Sequence, residues 1–433
     1  MAVASLAIRR VSLDRLLLLA TAVVTLPVAL FGISTIVGTS LRQLSGGAEQ
    51  VDFVAFYTGA HLLLSDPSHL YDAHAWAALQ AVLHGEHLPV LEFWNPPYAA
   101  VLLAPLAALP FGVAYLAWLV GNLACLAIAC ALLAPRRAGG RSWWLKWTLI
   151  LPSFLPVQLG LIMGQMSFVM LLGFAVFVRQ AGRARWASVA LSLIPWTWKP
   201  QLLPAVLLAL GAGRAWRTLL LVCLLPVAAC IAVAQLSGPS LLASYVRLAS
   251  GATTGVVSAE GVHLDAGHGL LGLAQWLVGP GSVASGLAVM GGLGTGWLVV
   301  SVWRNGLAPD ARRWLQLAVL PIAATLGSPH ALGYDLTLWL ASAWLALRFA
   351  TEVPGARRLV IGGLLIGWWG GNLAALPGVS TWAPWGALSG LACLAILAWL
   401  HSSSAHLSAD EWQPSRRQAT DRCRASASPR PPG

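Results

Sequence analysis

Apolar runs of roughly 17–25 residues, long enough to cross a bilayer, recur along almost the whole chain. Read between their polar breaks, they predict twelve helical crossings, at about 16–37, 99–134, 147–163, 166–179, 186–198, 200–213, 217–236, 282–303, 314–328, 332–348, 359–377 and 382–400. The second run is too long for one straight helix, and Pro105 and Pro110 are expected to break or bend it. At about 1.5 Å per residue, the runs 186–198 and 200–213 are too short for a ~30 Å hydrocarbon core. They read as a hairpin of half-depth helices around Trp196-Thr197-Trp198-Lys199-Pro200-Gln201. Broken backbone at that depth is tolerated where it lines a protein or water cavity.

Residues 39–96 form a polar interruption that reads as a large outer loop with two surface helices, Phe53–Leu64 and Ala73–His84, joined by Asp66-Pro67-Ser68. Trp76, Phe93, Trp94 and Tyr98 in it suit the headgroup boundary. Leu270–Val278 reads as a further interfacial helix before Pro280. The predicted fold class is therefore an all-α polytopic membrane protein. Residues 1–400 would form one transmembrane domain, and the Ser-, Arg- and Pro-rich residues 401–433 a disordered cytoplasmic tail.

Composition sharpens this. Of 433 residues, 58% are hydrophobic and 9% charged, against about 25% charged in a soluble domain. A net charge of +11 would suggest nucleic acid in a soluble chain; here its distribution gives orientation instead. Basic clusters punctuate the runs at Arg136/Arg137/Arg141/Lys146, Arg179/Arg183/Arg185, Arg214/Arg217, Arg304/Arg312/Arg313 and Arg348/Arg357/Arg358. Placing these and both termini in the cytoplasm obeys the positive-inside rule. The opposite loops are then acidic: 39–96 sets Arg42 against Glu49, Asp52, Asp66, Asp72, Glu86 and Glu92, and 238–267 sets Arg247 against Glu260 and Asp265. The first run follows Arg9, Arg10 and Arg15 and exceeds a cleavable signal's ~7–15-residue apolar core, so it reads as an anchor. Cys125, Cys130, Cys223, Cys230 and Cys393 lie in apolar runs and Cys423 in the tail, without metal or disulfide spacing.

Polar groups inside this framework are the candidates for chemistry. Asp52 opens the aromatic segment Phe53-Val54-Ala55-Phe56-Tyr57 and reads either as a catalytic base at the membrane surface or as a helix N-cap. Lys199, one of two lysines, sits between half-helices away from every basic cluster. It either contacts a lipid-linked phosphate or snorkels to the headgroups. Gln165, after Gly164, either hydrogen-bonds a sugar or caps a helix. His330, after Ser328-Pro329, either binds a phosphate or sugar hydroxyl or is an amphipathic surface group. Asp335, beside Tyr334, needs a buried partner such as Lys199. His263, Asp265 and His268 can be drawn as a metal site, but flexible loop residues favour no metal. Gly291-Gly292-Leu293-Gly294-Thr295-Gly296 lacks a preceding strand and reads as close helix packing, not a nucleotide loop. Asp52, Gln165, Lys199, His330 and Asp335 all fall on the outer half, which suits chemistry on a lipid-linked substrate and equally a transport vestibule.

Asp52–Tyr57, Leu70-Tyr71-Asp72, Asn95-Pro96-Pro97-Tyr98 with Leu102–Pro110, Gly164-Gln165, Lys199-Pro200-Gln201 with Arg214-Ala215-Trp216-Arg217, and Ser328-Pro329 with Tyr334-Asp335 occur in that order. In this ordered set the chain resembles the bacterial integral-membrane glycosyltransferases of family 87 (DUF2029-type) over roughly residues 16–400. It departs at Asn95, where tyrosine is commoner, and at Met166, where asparagine often follows the glutamine. The resemblance implies a GT-C bundle of about twelve helices in the bacterial plasma membrane, with a large first extracytoplasmic loop. It implies a polyprenyl-phosphate-linked hexose donor, often mannose, and a lipid or glycan acceptor reached among the membrane lipids, with no nucleic acid, no cofactor and no catalytic metal. Asp52 would be the general base of an inverting displacement. Lys199 and His330 would neutralise the departing phosphate, Gln165 would orient the sugar, and Tyr57, Gln201 and Asp335 would complete the donor site. The rival is a non-catalytic transporter or lipid flippase, which would show paired broken helices in corresponding halves.

Overall fold

A computed structural model describes residues 13–46, 51–84, 90–134, 151–182, 185–253, 267–376, 378–379 and 382–410, and among them every regular element is helical. Helix α1 (Leu13–Leu44) is followed by α2 (Phe53–Ser65), a 3₁₀ turn (Pro67–His69) and α3 (Ala73–His84). The long second run divides into α4 (Pro97–Ala107) and α5 (Phe111–Leu133). The break falls at Pro110, the N-cap of α5, while Pro105 stays inside α4. Then come α6 (Leu155–Met163), α7 (Ser167–Gln180) and α8 (Trp186–Leu193). The 3₁₀ turns Ile194–Trp198 and Pro200–Leu202 lead into α9 (Pro204–Ala212). Helices α10 (Trp216–Ser237), α11 (Ser240–Thr253), α12 (Leu270–Val278), α13 (Ser282–Trp303) and α14 (Arg312–Gly327) follow. A 3₁₀ turn at Gly333–Leu338, α15 (Trp339–Glu352), α16 (Arg357–Ala375) and α17 (Trp385–Asp410) complete the described chain.

Five helices, Thr25–Leu44 of α1, α5, α10, α13 and Trp385–Ser404 of α17, are long and apolar enough to cross a membrane, and α6 with α7 makes a sixth if the bent pair is one span. The remaining predicted crossings fall on shorter helices among the described residues. Hydropathy marks apolar runs equally whether a run is one full helix or two short ones, and α8, α9, α14 and α15 have only 8, 9, 16 and 14 residues. The spans present apolar side chains outward, as lipid-facing helices do: on α13, Val283, Met290 and Trp297 are 64%, 67% and 72% exposed.

Two apolar cores are packed side by side. The larger joins α5, α7, α9, α14, α15 and α17 through residues such as Phe174, Trp196, Leu315 and Trp344. The smaller is built from Phe53, Phe56, Tyr57, Leu70, Trp76, Phe93, Tyr98 and Tyr115, and receives Met166 and Trp198 from the other side. Two expectations change here. Helix α2 is no surface helix: Phe53 through Ala60 are all buried, because its apolar residues run round the whole helix. Trp76, Phe93 and Tyr98 are likewise core residues at 1%, 0% and 6% exposure instead of a headgroup belt. Burying side chains of this size stabilises by roughly 1.5–3 kcal/mol each, and so the described residues between α1 and α4 form a packed cap on the bundle. The last helix also runs through the start of the expected tail, to Asp410; residues 411–433 lie outside the described chain.

Candidate active site

The α6–α7 connection sets the geometry. Gly164 has a left-handed φ of +68°, Gln165 N–H donates to Gly160 C=O at 2.9 Å, and Gly164 N–H donates to Leu161 C=O at 3.2 Å. This is a Schellman-type stop, which glycine alone adopts without a Cβ penalty. It turns the chain through 119° between α6 and α7. A Cβ on Gly164 would lie 2.7 Å from the Cβ of Phe53. The glycine therefore fixes both the bend and the approach of α2.

That approach delivers Asp52. Gln165 Nε2 donates to Asp52 Oδ2 at 2.5 Å, and the Tyr334 hydroxyl donates to the same carboxylate. Asp52 occupies the N-cap position of α2, yet its side chain makes no cap hydrogen bond, so capping does not explain it. Burial pushes its carboxyl above the usual carboxylate range; the Gln165 and Tyr334 hydrogen bonds and the Lys199 charge oppose that without reversing it, and the Asp335 charge adds to it. Gln165 Oε1 is buried and, among the described residues, has no hydrogen-bond partner. An unpaired buried amide oxygen of this kind costs free energy that a ligand hydroxyl would recover.

Lys199 closes the cluster from the opposite side. It sits between the two 3₁₀ turns at φ −119°, ψ 79°, where Pro200 excludes continued helix. Its ammonium contacts Asp335 Oδ1 at 2.6 Å and lies 4.7 Å from the centre of the Tyr334 ring. The pair is 11% and 2% exposed, so Lys199 does not snorkel. Asp335 also accepts from Ser167 Oγ at 3.2 Å and from Leu332 N–H at 3.2 Å. Its carboxylate is thereby fixed as a resident counter-ion. An ammonium has three donors, so one ion pair leaves others for a ligand. The Lys199 turn is held by Asn95, whose Nδ2 donates to Trp198 C=O at 2.9 Å, and by the Tyr98–Thr197 hydroxyl contact at 2.5 Å.

The structure thus brings Asp52, Gln165, Lys199 and Asp335 together at the seam of the two cores. His330 stands at the periphery, its ring edge-on to Trp94 at 6.4 Å; the Trp94 indole in turn bonds Glu92, whose carboxyl burial pushes up. Gln201 is partly buried on the turn after Lys199. Tyr57 is not brought to the cluster: its hydroxyl donates to Leu109 C=O at 2.8 Å and its ring packs on Phe111. Tyr334 is a member that sequence reasoning mentioned only as a neighbour of Asp335, although it touches both Asp52 and Lys199. An aromatic hydroxyl beside the buried acid was the available signal.

The metal reading gains no geometry. His263 and Asp265 lie outside the described residues, and among those described no group of three His, Cys, Asp or Glu side chains can hold a metal. His268 is 2% exposed, its N–H donates to Ala331 C=O at 2.8 Å, and burial pushes its imidazole down to about 4. The Gly291–Gly296 run is helical within α13, and a Cβ on Gly296 would meet Leu208 at 3.1 Å, as close packing requires.

An all-helical membrane protein with a carboxylate, an amide and an ammonium gathered where helices break belongs to the class of membrane proteins that handle polar groups beside lipid. Residues 93–329 match the sequence model of glycosyltransferase family 87, and the chain belongs to that family. The match contains Asn95, Gln165 and Lys199, while Asp52, Tyr334 and Asp335 flank it. No curated protein and no solved structure matches the chain.

Proposed function

We propose that the chain transfers a hexose, mannose in the leading reading, from a polyprenyl-phosphate-linked donor to a hydroxyl of a lipid or glycan acceptor, on the extracytoplasmic face of a GT-C-type bundle. The observation that carries this is the cluster itself: a base and a cation from segments 147 residues apart in sequence meet around Tyr334 in a family-87 chain. Asp52 takes the proton of the acceptor hydroxyl as its oxygen attacks the anomeric carbon. The bond from that carbon to the phosphate oxygen breaks on the opposite side, and the lipid phosphate leaves with the electron pair, inverting the configuration.

A carboxylate within hydrogen-bond reach accelerates such a step by roughly 10²–10⁴-fold, and the raised pKa of Asp52 makes it a stronger base. Lys199 stabilises the charge that grows on the departing phosphate, selectively for the transition state. Asp335 and Ser167 hold Lys199 in place, and Gln165 uses its Nε2 to aim Asp52 and its free Oε1 to accept from a sugar hydroxyl. His330 and Trp94 would flank the entrance.

The test is transfer of radiolabelled mannose by the purified protein in vesicles, supplied either as polyprenyl-phosphate mannose or as a nucleotide-activated mannose. Label entering lipid or glycan from the first donor alone supports the proposal. Use of the nucleotide donor, or of neither by protein shown to be folded, contradicts it.

A further inference from the structure

An arginine-lined cavity lies at the other end of the same helices. It encloses about 800 Å³ and is lined by Arg179 on α7, Arg313 and Trp314 on α14, and Arg348, Thr351 and Glu352 on α15. Its distance from the Asp52 cluster follows from helix geometry. Ser167, which bonds Asp335, begins α7, and Arg179 comes twelve residues later, about 18 Å along the axis. Helix α15 likewise starts just after Asp335 and ends at Glu352, and α14 runs from Arg313 towards His330.

Charge and hydrogen bonding in this cavity are unbalanced. Three guanidinium groups face one carboxylate among the described lining residues. Two of the three share one indole: Arg313 lies 4.4 Å and Arg348 4.8 Å from the Trp314 ring. Arg348 is fixed there because its Nη2 donates to the C=O of Leu132 and Ala134 at 2.9 and 2.7 Å, at the end of α5. Glu352 is engaged by the Trp314 indole N–H at 2.8 Å. Arg313 Nε is buried and, among the described residues, has no hydrogen-bond partner. An unpaired buried donor costs the desolvation of that group. An anionic oxygen answers it, and Arg179 and Arg313 bring two cations to the same cavity.

We infer that this cavity binds a phosphate group carried on a larger molecule, a phosphomonoester or pyrophosphate, at a site separate from the Asp52 cluster. Arginine forks match phosphate oxygens in geometry as well as charge. The cavity lies within the size range of small-molecule sites and exceeds what bare phosphate fills, so an organic portion has room. The phosphate comes from a membrane lipid headgroup or from a soluble metabolite. The inference does not depend on the proposed transfer reaction.

The experiment uses the full chain in neutral detergent at constant ionic strength. Tm is measured with inorganic pyrophosphate, with short-chain phosphatidic acid, and with short-chain phosphatidylcholine as control. A rise with pyrophosphate marks a soluble ligand, and a rise with phosphatidic acid alone marks a headgroup; both support the site. The rise should vanish in Arg179→Gln/Arg313→Gln. Glu352→Gln, which keeps an acceptor for Trp314 but removes the competing charge, should tighten the apparent Kd about 5-fold. That gain cannot come from misfolding. No rise with either anion overturns the inference. So does a rise that survives the arginine pair, or one that disappears instead in Lys199→Met/Asp335→Leu.

Discussion

Lys199 cannot be understood apart from Asp335. At 2.6 Å and almost fully buried, the pair is one in which removing a single partner strands a charge, at about 3–5 kcal/mol, whereas replacing both with apolar groups is close to neutral. Lys199→Ala should therefore lower Tm as well as transfer, and alone it does not separate a structural role from a chemical one. Lys199→Met/Asp335→Leu should restore Tm to near wild type while transfer stays at least 10-fold down. Recovery of transfer in that double variant would remove Lys199 from phosphate stabilisation.

Asp52 makes a second prediction at this scale. With its folded pKa raised by burial, the acid limb of the pH–rate profile should lie above the ordinary aspartate value of about 4, with activity lost as pH falls through it. The stability sign is opposite to that of a salt-bridged acid. The folded state holds this proton more tightly than the unfolded state does, so ionisation costs stability as pH rises from the unfolded to the folded pKa. Tyr334→Phe removes one of the hydrogen bonds that favour the anion, and should move the limb further up while leaving the ring beneath Lys199. An unchanged limb would mean that Asp52 does not set it.

Among the elements, the α6–α7 break matters most to the site. Gly164→Ala should cost about 1–2 kcal/mol for left-handed backbone. It should also push α2 away through the 2.7 Å contact with Phe53 Cβ, lowering transfer at least 10-fold. Gly121→Ala, on the exposed face of α5 with nothing within 4 Å, is the control and should change neither activity nor Tm. Equal behaviour of the two variants would disprove the role of the bend.

This element also shows where the sequence was informative. The interruption at Trp196–Gln201 was legible because two runs too short for a bilayer flank a lysine and a proline. The Gly164 break was read as the gap between two crossings, since a Schellman stop and a loop end look alike in hydropathy. The burial of α2 was equally hidden: its all-round apolar pattern lies inside an otherwise polar segment, and the contacts from Tyr115, Phe111 and Met166 that make it core come from residues distant in the chain.

For the molecule as a whole, the polar cluster occupies the seam between two apolar cores, and the arginine-lined cavity occupies the far end of the helices that join them. The acidic outer segment and the basic clusters predict that these ends face opposite sides of the membrane. In a cysteine-free background, Ser68→Cys, exposed within the Pro67–His69 turn, should react with an impermeant maleimide in intact cells. Ser402→Cys, exposed on α17, should react only after permeabilisation. The reverse pattern would put the cluster on the cytoplasmic side.

The membrane class and the order of the polar motifs were legible because both are local in sequence. The division of apolar runs into full spans and short helices was less so, because it depends on which short helices pack end to end.

Transfer by Asp52→Asn against wild type, with donor binding measured in parallel, asks whether the Asp52 carboxylate is the base. The variant should fold with Tm unchanged or higher and retain donor binding, with transfer reduced by about 10²–10⁴-fold. Transfer at the wild-type rate would show that the carboxylate at the centre of the cluster is not the base.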